Sequence, residues 1–376
     1  VTNPAALVDE LRRVGTSAGL AAVGVTPARP WTHTRGVLES RRAQGLGGTM
    51  AFTYRRPARS SDPTRILKHA SSLVVGAWPY ARPAPPHRPG TARVARYAAR
   101  DEYAGLRTAL ETIAGRLRAA GHRTVVVADD NALVDREAAW RAGIGFYGKN
   151  ANLLLPGRGS WFVLGAVVTD AHLPPTGPPV PEECGACRRC LDGCPTGAIV
   201  APGVVDARRC LSWILQQPGP IPVEFREALG DRVYGCDDCQ EVCPPSRRTE
   251  TAVNIEGGDG GGIGTATGTV ATPGIGDPPA GSDDPALLDA VELLAADDDQ
   301  ILRRCGRWYL PGRDPNIVRR NLLVVLGNEA RPDHRVRAAV DRYLDHPDPV
   351  LSSHARWAAD RIAGRLARVA VAEQDD

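Results

Sequence analysis

Eight of the nine cysteines fall into two runs that restrict the fold more than any other feature of the chain. Cys184-x2-Cys187-x2-Cys190-x3-Cys194-Pro195 is followed by Cys210 and then by Cys236-x2-Cys239-x3-Cys243-Pro244. Two-residue gaps let successive thiolates converge on one face of a cubane iron–sulfur cluster. A three-residue gap ending in Pro turns the fourth thiolate toward a neighbouring cluster. The spacing therefore groups Cys184, Cys187, Cys190 and Cys243 on one [4Fe-4S] cluster, and Cys194, Cys210, Cys236 and Cys239 on a second. Crossed ligation of this kind sets the clusters close enough for rapid electron transfer. A pair of zinc sites is the alternative, because CxxC also suits tetrahedral zinc; zinc gives no reason for two CxxxCP endings. Cys305 is left over in an Arg-rich helical stretch and reads as a small buried apolar residue.

Nothing in the rest of the chain offers an oxidising compartment for these thiols. Val1 to Leu11 lacks a basic start, an apolar stretch and a small-residue cleavage site, so a cytoplasmic protein is expected. Cysteines in that setting point to metal ligation or catalysis rather than disulfides. No run approaches the roughly 20 apolar residues that cross a bilayer, and no membrane association is expected. Hydrophobic residues make up 43% and charged residues 24% of 376 residues, an ordinary balance for two or three soluble domains. The net charge of +3 proves no nucleic-acid partner, but its distribution is uneven. Residues 251–300 hold ten acids and no Lys or Arg, whereas 301–370 hold fourteen Arg against seven acids. Arginine grips phosphate by bidentate hydrogen bonds; a solvated helical surface is the blander reading of the same surplus.

Hydrophobic periodicity divides the chain. Residues 5–20 and 103–120 carry a helical period. The apolar runs 21–25, 73–77, 124–128 and 161–168 are β-branched and bounded by Gly, Pro or Asp, and read as buried strands. Strands alternating with helices predict an α/β layer over residues 1–175. The Pro-rich stretch 174–181 leads into the cysteine region, 176–250. A Gly-rich segment without periodicity fills 251–284 and reads as a flexible insertion. Helical patterns return over 285–376, at 285–304, 316–327, 334–344 and 351–367, and resemble paired HEAT-like helices. The expected class is α+β: an α/β domain, a ferredoxin-like double-cluster domain and a helical repeat. More than 170 residues precede the first ligand. That is far more than an electron conduit needs, so a second group that uses the electrons is expected there.

Five phrases carry a resemblance to a known family: CPTGAIV (194–200), VDARRCLSW (205–213), GDRVYGCDDCQEVCP (230–244), RAGIGFYGKN (141–150) and RNLLVVLGN (320–328). Together they are similar to the epoxyqueuosine reductase family, from Gly24 to about residue 365 apart from the Gly-rich segment. The resemblance implies a cobalamin held base-off in the N-terminal α/β domain beside two [4Fe-4S] clusters. It further implies a tRNA anticodon stem-loop as partner and a low-potential electron donor such as flavodoxin or ferredoxin. The implied reaction is a two-electron removal of the epoxide oxygen from a modified wobble base, which yields queuosine. Clusters reach potentials below about −400 mV, the range that such a reduction demands.

The resemblance also implies roles for individual residues. The proton donor falls at Asp129, which would also line the cofactor, with Asp130 adjacent. A carboxyl with an ordinary pKa near 4 is ionised at neutral pH, so Asp129 must be desolvated to act as an acid. Capping of the helix expected at 133–142 is its plainer role. Arg136 matches an arginine near the substrate. Lys149, Asn150, Ser212 and Asp237 match positions around cobalamin, and Tyr54 and Tyr97 match aromatics of the N-terminal domain. For the two tyrosines core packing is an equal explanation, and for Arg136 and Lys149 solvation is. Two departures bear on the substrate: the family's Asp-Tyr-His reads Glu102-Tyr103-Ala104, and a Thr-Ile-Glu stretch reads Leu215-Gln216-Gln217. A diverged reductase of a small organic molecule, as in reductive dehalogenases, and a non-catalytic electron carrier are the competing functions. Turnover without tRNA marks the first, and failure to bind any corrinoid marks the second.

Overall fold

The computed structural model describes residues 3–256, 264–265, 268–269, 284–329 and 333–372. The flexible insertion expected at 251–284 lies outside the described residues for most of its length. Its first residues, 251–256, end the helix Pro244–Glu256. The chain forms two units, which comprise the described residues of Val1–Pro83, Asp101–Asp206 and Asp238–Pro279, and of Ala84–Arg100, Ala207–Asp237 and Ala280–Asp376.

The first unit is built on four strands, β1 (Ala22–Pro27), β2 (Ser72–Pro79), β3 (Thr124–Ala128) and β4 (Phe162–Thr169). They lie in the order β1-β2-β4-β3, and every pairing is antiparallel. The alternation of strands and helices predicted a layer of the α/β kind, which is usually parallel. The sheet found is antiparallel throughout, as an α+β fold requires. Because side chains alternate along a strand, β2 and β4 serve two cores. Leu73, Val75, Ala77, Leu164, Ala166 and Val168 join one cluster with Leu133, Ala138 and Ala139 of the segment around Asp135–Arg141. The opposite face meets α1 (Pro4–Ser17) and α2 (Glu102–Ala119). Gly76 and Gly165 pair in register on that face. A Cβ on Gly76 would lie 2.8 Å from a Leu20 methyl, and one on Gly165 would lie 2.8 Å from a Leu110 methyl. The two missing side chains form the notch that seats both leucines.

Glu102, one of the family departures, is buried in this unit. It accepts from the Trp78 indole at 3.2 Å and from Arg82 at 2.5 Å. A carboxylate there is a paired structural charge.

The second unit holds a three-stranded sheet of Thr91–Val94 flanked by Arg232–Tyr234 (parallel) and Leu287–Asp289 (antiparallel). The continuous helix expected at 285–304 is therefore corrected. Residues 287–289 join the sheet, and two helices follow, Ala290–Ala295 and Asp298–Cys305. Asp297 separates the two and opens the second through a reciprocal capping box with Gln300. Cys305 is fully buried in this core. The helix Asn316–Glu329 is buried on nearly all sides from Ile317 to Gly327, with His334–Asp341 and Pro349–Ala372 beside it. Among the described residues no helix is long and apolar enough to cross a membrane.

Arg320 is 1% exposed within that central helix. Its guanidinium donates to the carbonyls of Ile214 (3.1 Å), Leu215 (3.2 Å), Gln217 (2.7 Å) and Gly219 (2.5 Å). Asn321 adds bonds to the carbonyls of Leu215 and Val233. The shortened Leu215-Gln216-Gln217 stretch is thus held by its backbone. Arg320→Met is expected to strip this donor from four carbonyls and cost about 3 kcal/mol, read as a lower thermal or urea midpoint. A midpoint unchanged from wild type would show that the clamp is dispensable.

Candidate iron–sulfur centre and acid site

The cysteine segments are tied to their surroundings by backbone hydrogen bonds. None of the nine cysteines is in a disulfide, and the eight expected ligands are half-buried. In the first unit the N–H of Cys187 bonds back to the carbonyl of Cys184 at 2.9 Å, and that of Cys243 to Gln240 at 3.1 Å. Such turns close the CxxC and CxxxC spacings. Burial pushes the Cys184 thiol up to about 11, opposed by a backbone hydrogen bond from Lys149 and reinforced by Glu182 and Cys243. Burial also raises Cys190, with Cys243 the next contributor and Cys187 adding to it. Cys184, Cys187, Cys190 and Cys243 therefore share one electrostatic neighbourhood. Among the described residues no three His, Cys, Asp or Glu side chains are gathered around a single ion. A cubane holds its thiolates at its outer corners, wider apart than ligands sharing one zinc.

Cys194 accepts from the Ala198 N–H at 3.2 Å, and Cys239 lies 4.0 Å from the Asn152 carboxamide. Donors aimed at sulfur are one of the means by which a protein tunes a cluster. The segment around Cys239 and Cys243 is anchored to the entrance of β4. Gln240 accepts from Ser160 at 2.9 Å and from Tyr80 at 3.3 Å, while the Trp161 indole donates to the Ser246 carbonyl at 3.1 Å.

Lys149 and Asn150 take part in the same anchoring. The Lys149 ammonium donates to the carbonyls of Gly185 and Cys187, the latter at 3.0 Å. The Asn150 carboxamide donates to the Cys239 carbonyl at 3.3 Å and accepts from the Asn152 N–H at 3.1 Å. Their side chains are committed to the cluster loops. In the second unit Asp237 is buried and accepts from the Arg96 backbone N–H at 2.8 Å. Ser212 is half-buried in the short helix Leu211–Ile214 that follows Cys210. Tyr97 is half-buried, its ring tilted against Tyr234 at 6.4 Å. Tyr54, in the first unit, is half-buried over Gly47.

Asp129 follows the last residue of β3 with φ 53°, in the left-handed region. Asp and Asn enter that region more readily than most residues, and a strained residue at a strand end points to a site. The helix that follows, α3 (Asp135–Arg141), opens at Val134 with no side-chain cap. Capping therefore does not account for Asp129. Asp130 instead forms a local turn, its carboxylate accepting from the Ala132 N–H at 2.8 Å. Although Asp129 keeps an exposed surface, the protein mass around its carboxyl raises its pKa. Arg107 opposes this and Asp130 adds to it. Arg107 donates to the Ala128 carbonyl at 3.0 Å and stands over the Tyr103 ring. Tyr103 is raised chiefly by burial, then by the charges of Asp129 and Asp135, so its phenol stays protonated. Arg136 is exposed and donates to the Ala151 carbonyl at 3.2 Å.

Sequence reading did not single out Tyr103, Arg107 or Asp135 as site residues. Asp135 opens a helix, where a carboxylate is ordinarily explained by the helix dipole, so no local signal set it apart.

The donor set and its turns define an iron–sulfur protein of the two-cluster kind. Residues 183–246 match the model of the 4Fe-4S double cluster binding domain. An epoxyqueuosine reductase of Xanthomonas campestris pv. campestris is 30% identical over 375 residues, covering 95% of this chain and 96% of that one. Another, of Burkholderia pseudomallei, is 36% identical over 378 residues, covering 90% and 80%. A crystal structure of epoxyqueuosine reductase with an epoxyqueuosine-modified tRNA-Tyr stem loop is similar with TM-score 0.79 at 28% identity, over 96% of this chain and 91% of that one. A Bacillus subtilis epoxyqueuosine reductase with its catalytic loop swung out of the active site gives TM-score 0.76, with the same identity and coverage. The chain belongs to the epoxyqueuosine reductase family and is an oxidoreductase.

Proposed function

We propose that this chain reduces epoxyqueuosine to queuosine in tRNA, using electrons delivered through two [4Fe-4S] clusters. The observation that carries the reading is the likeness, over 96% of the chain, to a relative that holds an epoxyqueuosine-modified stem loop. One cluster takes Cys184, Cys187, Cys190 and Cys243, and the other takes Cys194, Cys210, Cys236 and Cys239. A flavodoxin- or ferredoxin-like protein is the proposed donor. Residues 1–175 form the corrin-binding part of this scheme, 176–250 the cluster part, and the helices of 285–376 a HEAT-like tRNA support.

Bound cobalamin would supply the strongly reducing centre that the epoxide requires. A corrin rim carries neutral amides, and Ser212, Tyr54 and Tyr97, each half-buried, are proposed to line it. Lys149, Asn150 and Asp237 are already engaged with the protein, so their part is to fix the backbone around the cofactor. Asp129 delivers a proton to the departing oxygen. Its raised pKa supports that role, because a larger fraction of the carboxyl is protonated near neutral pH. Arg136, exposed at the start of α3, orients the base or its phosphate.

The arginine surplus divides in a way that helps locate the tRNA. Arg319 and Arg320 are buried, and Arg365 is tied to the Gly327 carbonyl. Arg303, Arg304, Arg335 and Arg337 stand exposed on helices of the second unit. Converting Arg335 and Arg337 to Ala should weaken tRNA binding and reduce its log–log salt slope by about 1 for each arginine. A slope equal to wild type would remove these two residues from the interface.

The function is tested with anaerobically reconstituted protein, cobalamin, a chemical reductant and epoxyqueuosine-containing tRNA, digested and read by mass spectrometry. Queuosine is the expected product. Protein with full iron and bound corrin that leaves the epoxide intact defeats the proposal.

A further inference from the structure

We propose that the loop 306–314 of the second unit is a base-stacking platform for RNA. Tyr309 receives an unpaired nucleobase other than the modified one, and Arg313 takes a neighbouring phosphate. The inference deepens the tRNA reading above and rests on it. A single exposed apolar residue is ordinary, but Tyr309, 53% exposed, is backed and braced. One side of its ring lies against Trp213, stacked with 6.3 Å between centroids and 27° between planes. Trp213 is itself buried, and its N–H bonds to the carbonyl of the proposed ligand Cys210 at 2.9 Å. The backbone beneath the ring is fixed as well. The Tyr309 N–H donates to the Tyr234 phenol oxygen at 2.8 Å, and the Trp308 indole to the Ala98 carbonyl at 3.2 Å. Arg307 donates to the carbonyls of Ala98 and Ala99 at 3.1 and 3.0 Å, and Trp308 stacks on Tyr234 at 4.5 Å. A ring held this firmly has little freedom left to lose when a partner lands on it.

The charge around the ring selects the kind of partner. Residues 303–313 contain Arg303, Arg304, Arg307 and Arg313 and no acid. Arg303, Arg304 and Arg313 are exposed. Arg313 has φ 55°, in the left-handed region that residues other than Gly, Asn and Asp seldom enter, and such strain gathers at ligand-binding loops. Its guanidinium turns back over Gly306, where a Cβ would lie 3.3 Å from Nη2. Asp314, the next residue, is engaged with the Asn316 N–H at 2.9 Å. An exposed aromatic ring beside guanidinium groups suits unpaired RNA. The ring takes the face of a base and the arginine takes the phosphate next to it. An acidic protein would use the arginines; a ring backed by a second ring favours a base.

The test uses full-length, anaerobically reconstituted protein and a synthetic tRNA-Tyr anticodon stem loop with guanosine at the wobble position. Tyr309→Leu is expected to weaken binding roughly 5- to 150-fold with the log–log salt slope unchanged, while Tyr309→Phe and Tyr309→Trp bind like wild type. Arg313→Ala should lower that slope by about 1. Stem loops made abasic at one loop nucleotide at a time identify the base: at one position Tyr309→Leu should add no further loss. Each variant is checked for iron content and melting temperature. Tyr309→Leu that binds like wild type overturns the proposal, and so does equal loss in Tyr309→Phe. Unchanged RNA affinity with slower reduction by flavodoxin would assign the ring to a protein partner, which overturns it too. If Tyr309→Leu does not fold, the abasic scan of wild type decides: sensitivity at the wobble position alone overturns the proposal. Wild type that binds the stem loop but converts no epoxide in tRNA refutes the proposed function and leaves the stacking result standing. Wild type that binds no RNA ends both.

Discussion

Asp129→Asn is expected to retain both clusters and the fold while losing turnover by roughly 100- to 10,000-fold. The substitution isolates chemistry from structure unusually well at this position. Asn is nearly isosteric with Asp, and it is one of the few residues that enter the left-handed region readily, so φ 53° imposes no new strain. The carboxyl caps no helix, since α3 opens at Val134 without a side-chain cap. What Asn cannot do is release a proton. The decisive measurement is single-turnover conversion of epoxyqueuosine-tRNA under fixed reductant, together with iron content and melting temperature. A variant that keeps its iron and converts substrate at nearly the wild-type rate would falsify the role of Asp129 as general acid. The sign of the pH dependence follows from the raised pKa. The acid form is lost as pH rises through that value, so activity limited by this proton falls toward alkaline pH.

The second large effect is expected at Cys243. Cys243→Ser should remove one of the two clusters, and activity should disappear with it. The reason is geometric. Cys243 closes the second run of cysteines in sequence, well beyond Cys194, yet it acts electrostatically on Cys184 and Cys190 of the first run. That influence supports grouping it with the first run in space, as the CxxxCP rule requires. Iron analysis and EPR of reduced protein check the assignment. Loss of the cluster fed by Cys194 and Cys239, with the other intact, would reverse the proposed grouping.

Parts of the chain with strong local signals were legible from the sequence. β1 to β4 fall within a residue or two of the apolar runs that predicted them. Strand direction was less legible, because periodicity reports burial and not which neighbour a strand will pair with. Residues 287–289 read as the start of a helix because Leu287 and Leu288 suit either structure; pairing with Thr91–Val94 decides the matter. Arg320 could not be told from its exposed neighbours, since nothing local reveals that four carbonyls converge on it. Asp135 was hidden for the same reason. Its Oδ1 is buried without a hydrogen-bond partner among the described residues, which no local pattern reveals.

The clamp around Arg320 has a consequence for iron loading. Cys210 and Cys236 sit on segments whose hydrophobic neighbours, Leu211, Ile214, Val233 and Tyr234, belong to the core of the C-terminal helices. Those helices contribute no proposed ligand, yet they form the mould in which two of the ligands are set. Shortening the chain ahead of residue 316 to study nucleic-acid binding would therefore yield a protein poor in metal, and its inactivity would say nothing about RNA.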